Sequence, residues 1–166
     1  MTTPTNPCVI GFDPGIGRLG YAVLRGPIQR PQILALGCIE TSQNLSHNQR
    51  LLTIAQQTKK LLQHYQPDAA GLERLFFSKN VKTALSVAEA RGVINLLLTE
   101  SGCRVLELSP QEVKIAATGQ GGADKRQVQK MLKLTFHLTT LPKLDDAADA
   151  LAIALAVLVQ PKFLQK

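Results

Sequence analysis

The segment Cys8–Leu24, with the sequence CVIGFDPGIGRLGYAVL, contains the clearest structural signal of the chain. The apolar, β-favouring residues before Asp13 predict a strand, and Pro14-Gly15 ends it. A second β-favouring run, Gly20–Leu24, follows after a short turn and predicts a β-hairpin. A strand this apolar is typical of one buried on both faces, so Asp13 should emerge at the edge of a core. A carboxylate there is costly to bury and needs a partner.

Residues 15–20 spell GIGRLG, which has the glycine spacing of a dinucleotide-binding fingerprint, and the acid Glu40 follows further along the chain. That fingerprint requires a helix to begin at the glycines, so that the helix N-terminus receives a pyrophosphate. Here a strand pattern follows the glycines, and Pro27 and Pro31 leave no room for a crossover helix before Glu40. The glycines are therefore interpreted as turn residues.

The chain of 166 residues is long enough for a substantial core, which predicts a single domain over residues 1–166, with residues 1–7 flexible. The apolar run Ala150–Val159 is too short to span a bilayer, and the N-terminus does not resemble a signal peptide. We therefore expect a cytoplasmic protein with no membrane association. The three cysteines are isolated from one another, which indicates neither a disulfide framework nor a zinc site.

The charge distribution favours a polyanionic partner. The net charge is +7, and residues 104–143 carry seven Lys or Arg against three acids. Residues 144–166 reverse this balance, with acids at positions 145, 146 and 149. A basic surface beside an acidic pocket is typical of an enzyme that holds a phosphate backbone over metal ions. The alternative is that the surface lysines serve only solubility, and charge alone does not decide between the two.

Residue patterns predict strands over residues 8–13, 20–25, 33–40, 69–73 and 103–108. The first three are joined by short connections and should form an antiparallel meander. Connections of helical length separate the later strands, which implies parallel pairing there. The predicted fold class is α/β, with a five-stranded mixed sheet and helices on both of its faces.

Helices are predicted in the intervals between and after these strands. They are Ser46–Tyr65, Lys79–Glu100, two helices that begin after Ser109 and Asp124, and a last one from Asp145 to about Gln160. The capping signals are strongest at Ser109, where Pro follows at the first helical position and Glu three residues later.

Four acids lie at positions where they can converge. Asp13 and Glu73 end predicted strands, whereas Asp146 and Asp149 share a helix face because they are three residues apart. The alanines around the two aspartates allow that helix to lie close to the sheet. Four neighbouring carboxylates repel one another without cations, and Mg²⁺ or Mn²⁺ with oxygen ligands is the natural compensation.

Each acid also has a purely structural explanation. Asp145 and Asp146 suit the first turn or the cap of a helix. Asp13 suits a turn before Pro-Gly, and Glu73 suits a surface salt bridge. Asp149, in the second turn among alanines, is poorly explained in this way, and the joint pattern of the acids favours a metal site.

Four segments follow one another along the chain: GFDPGIGRLGYAV at residues 11–23, LERLFFSKNVKTALSVAEARGV at 72–93, PQEVKIAATGQGGADKRQVQKML at 110–132 and DDAADALAIALA at 145–156. In this order and spacing they resemble the RuvC family of Holliday-junction resolvases, crossover-junction endodeoxyribonucleases with a ribonuclease H-like fold. The first segment is weakly specific, because related nucleases and sugar-kinase-like folds share such a strand-turn-strand. The later three are far more specific.

The resemblance implies that Asp13, Glu73, Asp146 and Asp149 are catalytic and bind two Mg²⁺ ions, for which Mn²⁺ can substitute. It also implies phosphodiester hydrolysis in four-way junction DNA by a homodimer that nicks two opposing strands, with a branch-migration helicase complex as a further partner. The DNA-binding residues expected on this basis are Phe76, Lys79, Lys114, Lys125 and Arg126. Asp145 departs from the family pattern by adding an acid, and the spacing to ALAIA assigns the third ligand to Asp146.

The helix Lys79–Glu100 is the expected dimer interface, because it is apolar on more of its circumference than one sheet face requires. Burial within a single domain would give the same pattern. Two other functions also remain open from the sequence. One is a ribonuclease H-like nuclease acting on RNA or other DNA structures, since Arg18 before Leu-Gly resembles a related family implicated in ribosomal RNA processing. The other is a non-catalytic junction-binding module, against which the four acids argue.

Overall fold

Within residues 6–74 and 81–160, which the computed structural model describes, five strands form one mixed sheet. In chain order they are β1 (Cys8–Asp13), β2 (Arg18–Arg25), β3 (Gln32–Glu40), β4 (Ala69–Glu73) and β5 (Arg104–Leu108). Their spatial order is β3-β2-β1-β4-β5. β2 is antiparallel to β1 and β3, whereas β4 is parallel to β1 and β5. The predicted meander and the predicted parallel pairing are both confirmed.

The helices lie on both faces of this sheet, as predicted. They are α1 (His47–Tyr65), α2 (Val81–Glu100), α3 (Pro110–Thr118), α4 (Lys125–Thr135) and α5 (Asp145–Val159). α1 and α2 pack on one face, and α5 packs on the other with α3 and α4 against it. None of the helices in the described part of the chain combines the length and apolar character that crossing a membrane requires.

The central strand β1 supplies both apolar cores, because alternate strand residues point to opposite faces of a sheet. Val9 belongs to the cluster beneath α5, whereas Ile10 and Phe12 belong to the cluster beneath α1 and α2. These three side chains are fully buried, and Asp13 is the first residue of the strand to be partly exposed. The carboxylate therefore emerges at the edge of the core, as predicted from the sequence.

Three glycines of the sheet allow α5 to lie unusually close to it. A Cβ atom on Gly11 would lie 2.9 Å from the Cα atom of Ala154, and one on Gly71 would lie 2.7 Å from Cγ2 of Ile153. A Cβ atom on Gly20 would overlap the backbone of Asp146. The close approach was expected from the alanines of the helix alone. The sheet also contributes to the close approach, because its three glycines place no side chains between its backbone and the helix.

The segment GIGRLG forms a turn and a strand, and no nucleotide-binding helix begins there. β2 starts at Arg18, earlier than the predicted residue 20, because Arg18 pairs with Glu40 and Leu19 with Ile39 on β3. Small differences of this kind occur elsewhere. β5 begins at Arg104 rather than 103, and the predicted start of α2 at Lys79 lies outside the described residues.

Both predicted helix caps are confirmed, and they fix the helices that carry two basic residues of interest. The backbone N–H of Ser109 donates to Oε2 of Glu112 at 2.8 Å, and the Ser109 hydroxyl accepts from the N–H of Glu112 at 3.2 Å. Oδ1 of Asp124 accepts from the N–H of Gln127 at 2.8 Å. Such caps satisfy N–H groups that a helix start leaves unpaired, so α3 and α4 begin at defined places beside the sheet.

Candidate active site

Asp13 and Glu73 end two neighbouring strands at the same edge of the sheet. β1 and β4 are parallel, with Phe12 opposite Leu72, so the next residue of each strand is one of the two acids. Both acids follow a glycine by two residues, which places them on the face that α5 covers. The parallel register therefore brings two carboxylates together beside the start of α5.

A cavity of about 290 Å³ lies at this edge, and Asp13, Glu73 and Asp149 all line it. Lys114 from α3 and Lys125 from α4 line it as well. The rest of its wall is Pro110, Val113, Val128, Ala152 and Ile153. A larger groove of about 800 Å³ lies between β3 and α1, and within residues 6–74 and 81–160 the one acid that lines it is Glu40, among mostly polar and aromatic residues. The smaller cavity is the chemically distinctive one.

Asp146 lies one turn before Asp149 on α5, but its side chain is turned toward β2. Oδ2 of Asp146 lies 3.1 Å from Nε of Arg18, as an ion pair. The contact lacks hydrogen-bond geometry, so this buried oxygen has no hydrogen-bond partner among the described residues. A buried carboxylate oxygen without a donor is costly, and that cost favours any further cation that reaches it.

Lys125 connects two other acids of α5. Its Nζ atom lies 3.2 Å from Oδ2 of Asp149 and 3.2 Å from Oδ2 of Asp145. The two aspartates are four residues apart and therefore lie one above the other on the helix. The lysine thus reaches from solvent to the cavity along one turn of α5.

The carboxylates of the cavity hold their protons more tightly than exposed acids do. Burial raises the pKa of Asp13 to about 7, and the charges of Asp149, Glu73 and Asp146 add to the shift. Burial and the charge of Asp149 also raise the pKa of Glu73. Burial raises the pKa of Asp149 as well, although Lys125 opposes the shift. Mutual repulsion in a partly buried site is the pattern that a bound cation relieves.

Comparison with known proteins decides the family. A family model described as crossover junction endodeoxyribonuclease RuvC matches residues 9–157, which include nearly all of β1 and of α5. The chain belongs to the RuvC family. It is therefore a crossover junction endodeoxyribonuclease, a hydrolase, and the predicted family and enzyme class are confirmed.

Individual RuvC proteins match over most of their length. The RuvC of Roseiflexus sp. strain RS-1 is 46% identical over 146 residues, which are 88% of this chain and 87% of that protein. The RuvC of Thermosipho melanesiensis is 46% identical over 155 residues, 93% of this chain and 99% of that protein. A solved structure of T. thermophilus RuvC in complex with a Holliday junction substrate matches with a TM-score of 0.86 and 31% identity, covering 90% and 92% of the two chains. The ribonuclease H-like fold class is thereby confirmed.

The residues expected to bind DNA fall into three groups in this RuvC protein. Lys114 and Lys125 line the cavity with the acids. Arg126 is exposed on the first turn of α4 and is not part of the cavity wall. Phe76 and Lys79 lie outside the described residues, so their roles stay predictions.

The acids fit a divalent cation by their chemistry, although they have not converged into a closed ligand set. RuvC proteins are divalent-metal-dependent nucleases. Among the described residues, no three Asp, Glu, His or Cys side chains are placed so that they could hold one ion together. Oδ2 of Asp146 contacts Arg18 and Oδ2 of Asp149 contacts Lys125, so a divalent ion competes with a cation of the chain for each of these two oxygens. Carboxylates with raised pKa values, and an Asp146 Oδ2 atom that has an ion pair but no hydrogen bond, suit a hard cation.

Two residues of the site were not predicted as such. In the sequence analysis Arg18 indicates only a resemblance to a related nuclease family. Its position shortly after Asp13 could also have predicted a cation beside the acids. Asp145 was explained by capping, but the N-cap position of α5 is Leu144, and no side chain caps the helix. Asp145 and Asp146 do lie in the first turn, as expected. The contact of Asp145 with Lys125 joins α5 to α4, and residue spacing within one helix cannot predict a contact with another helix.

Asp13→Asn is expected to stabilise the metal-free RuvC protein at pH 8 and to change its stability little at pH 4. The pKa of Asp13 is about 7 in the folded protein against an ordinary 3.8, so the folded state binds this proton more tightly than the unfolded state does. The free energy of unfolding therefore falls as pH rises from about 4 through 7. Asn removes that loss, which is at most about 4 kcal/mol, because each unit of the difference between the two pKa values is worth about 1.4 kcal/mol.

Thermal melts in EDTA at both pH values measure this effect, with Glu40→Gln, an exposed acid at the edge of the sheet, as the control. The gain of Asp13→Asn at pH 8 over its gain at pH 4 should exceed the corresponding difference for the control. An equal gain at pH 4 and pH 8 for Asp13→Asn would mean that the substitution acts through packing rather than through ionisation.

Proposed function

We propose that this RuvC protein resolves Holliday junctions by hydrolysing one phosphodiester in each of two opposing strands. The observation that carries the proposal is the convergence of Asp13, Glu73 and Asp149 on one cavity beside two lysines. The T. thermophilus relative in complex with a Holliday junction substrate supports the choice of DNA. The protein acts as a single domain of residues 1–166, in the cytoplasm, and in company with a branch-migration helicase complex.

In this proposal Asp13, Glu73, Asp146 and Asp149 hold two Mg²⁺ ions, and Mn²⁺ can substitute. Such ions supply the activation of a water molecule and the stabilisation of a leaving 3′ oxygen. The four acids supply the charge, because their mutual repulsion makes a site without cations unfavourable. In this proposal, Asp146 turns from Arg18 and Asp149 turns from Lys125 toward the ions, and these movements complete the set of metal ligands.

In this proposal the basic residues around the cavity bind the DNA backbone. Lys114 and Lys125 enter the cavity from two helices and neutralise the phosphate that lies over the acids. Lys79 and Arg126 bind the backbone on either side, where phosphate contacts set the register without reading sequence. Phe76 stacks on a base near the junction centre, an interaction worth about 1–3 kcal/mol per base.

Cleavage of a four-way junction with each strand labelled in turn tests the function. With Mg²⁺ or Mn²⁺ present, paired nicks should appear at symmetric positions in two opposing strands. A plain duplex and a structured RNA of similar size should be cut far more slowly. Faster cleavage of the RNA would favour the related RNA nuclease, and tight junction binding without cleavage would favour a non-catalytic module.

Two nicks at symmetric positions require two active sites, and α2 offers the surface for a symmetric dimer. Leu85 and Leu96 are 61% and 59% exposed on the same outward-facing side of the helix, with Gly92 between them. Large apolar side chains that repeat along one exposed helix face mark an interaction site. In a C₂ dimer the same stripe meets its own copy.

Leu96→Glu is expected to shift the protein from dimer to monomer. Burying one leucine at an interface contributes roughly 1.5–3 kcal/mol. A symmetric dimer loses one leucine from each protomer, which corresponds to a dimer weakened about a hundredfold or more, and the buried charges add to the cost. Sedimentation velocity over a range of concentrations measures the change. Leu134→Glu is the matched control, since Leu134 is equally exposed at 59% but lies on α4, on the opposite face of the sheet. Equal behaviour of the two variants would reject α2 as the interface.

A further inference from the structure

Lys125 has one partner inside the cavity and one outside it. Asp149 lines the cavity, whereas Asp145 does not, and the side chain of Asp145 is 68% exposed. The two N–O distances are the same, 3.2 Å. The lysine is therefore shared between an acid that is needed for the active site and an acid that is not.

This sharing matters because Asp149 has two competing uses. Lys125 contacts Oδ2 of Asp149, so a divalent ion that takes this oxygen competes with the lysine for it. If Asp149 were the one acid in contact with Lys125, the lysine would lose its ion pair when a divalent ion took that oxygen. Asp145 offers it an ion pair that persists after Asp149 has turned away.

We propose that Asp145 is a positioning residue, which retains Lys125 at the rim of the cavity while Asp149 turns to a divalent cation. The inference rests on the proposed function, since it takes Asp149 as a metal ligand. It adds a role for an acid that the proposed function does not use. Lys125 then stays beside the cavity, where it faces the phosphate of the bound strand.

Among the described residues, Asp145 makes its ion pair with Lys125, and other roles for this acid fit the structure less well. It is not the N-cap of α5, because that position is Leu144 and no side-chain cap is present. It does not line the cavity, and its side chain is 68% exposed, against 25% for Asp146, so it lies in solvent beside the site. Its neighbour Asp146 is engaged by Arg18 instead, on the side of β2. Asp145 and Asp146 therefore hold different cations, and only the pair with Lys125 connects to Asp149.

A double-mutant cycle on metal binding tests the proposal without measuring cleavage. Mn²⁺ is titrated calorimetrically into the DNA-free protein as wild type, Asp145→Asn, Lys125→Met and the double variant, after melts show that each is folded. Asp145→Asn should weaken Mn²⁺ binding by roughly two- to fivefold, the range of partly exposed ion pairs. Lys125→Met should tighten binding, because the competitor for Asp149 is removed. In the Lys125→Met background, Asp145→Asn should have no further effect.

The outcomes separate this inference from the proposed function. Asp145→Glu keeps a carboxylate within reach of Lys125 and should bind Mn²⁺ like the wild type. If Asp145→Asn weakens binding equally in both backgrounds, Asp145 acts directly on the ion and the positioning role is wrong. No effect in either background rejects it as well. If the folded wild type binds no Mn²⁺ at all, the metal site of the proposed function fails and the inference falls with it.

Discussion

Asp149→Asn is expected to reduce junction cleavage more than about 100-fold, because even residues that only support metal ligands contribute 10–100-fold. Asp149 is the α5 acid that lines the cavity with Asp13 and Glu73. Asn has nearly the same shape and keeps one oxygen, but it lacks the charge that a divalent cation requires. Junction binding should be largely retained, because it depends on the basic residues and on surfaces away from this side chain.

Single-turnover cleavage of a labelled four-way junction measures the catalytic loss, and mobility shifts in EDTA measure binding. Asp146→Asn should be similarly severe if Asp146 leaves Arg18 to join the site. Asp145→Asn should be much milder, since it acts only through Lys125. Parallel loss of binding and cleavage in Asp149→Asn would assign the residue a structural role, and greater damage from Asp145→Asn would reverse the assignment of ligands.

The fold was predictable because its main signals are local. The apolar run before Asp13 specifies a buried strand, and the caps at Ser109 and Asp124 specify two helix starts, each through contacts within a few residues. The start of β2 was missed because it depends on β3. Arg18 extends the ladder by pairing with Glu40, and such pairing between separate strands has no local signature.

The positions of three site acids were also predictable from local signals, but the contact made by the fourth was not. Strand ends and helical spacing placed Asp13, Glu73 and Asp149 together, and the structure brings these three to one cavity. The same spacing put Asp146 on the shared face, but it does not specify which partner the side chain takes. Arg18 reaches Asp146 from another element, and periodicity contains no information about that contact.

The glycines show a related limit. Gly20 was predicted to begin the second strand, but the glycines of residues 15–20 were interpreted through turn chemistry, which gives Gly20 no role in packing. In the structure it lies within β2, where its missing side chain makes room for the backbone of Asp146. Gly11 does the same beneath Ala150 and Ala154. Which helix covers a strand face is a tertiary fact, so the importance of these positions emerges only from the packing.

Gly11→Ala is expected to destabilise the protein by roughly 1–3 kcal/mol or more, the usual cost of overpacking a core. The added Cβ atom would lie 2.9 Å from the Cα atom of Ala154 and nearer still to other backbone atoms of Ala150 and Ala154. A backbone cannot rotate aside as a side chain can, so the whole of α5 must move away from the sheet. That movement displaces Asp149, and misplacement by about 1 Å can cost 100-fold in rate.

Thermal melts and single-turnover cleavage of the same samples separate the two effects. Gly122→Ala is the matched control, because a Cβ atom there meets nothing within 4 Å and the residue is exposed; its effect should stay within about 0.5 kcal/mol. Gly20→Ala presses on the first turn of α5 at Asp146 and should therefore lose more activity for a given loss of stability than Gly11→Ala does. If Gly11→Ala melts and cleaves like Gly122→Ala, the close seating of α5 on β1 is wrong. The carboxylates of the helix must then reach the strand ends by some other arrangement.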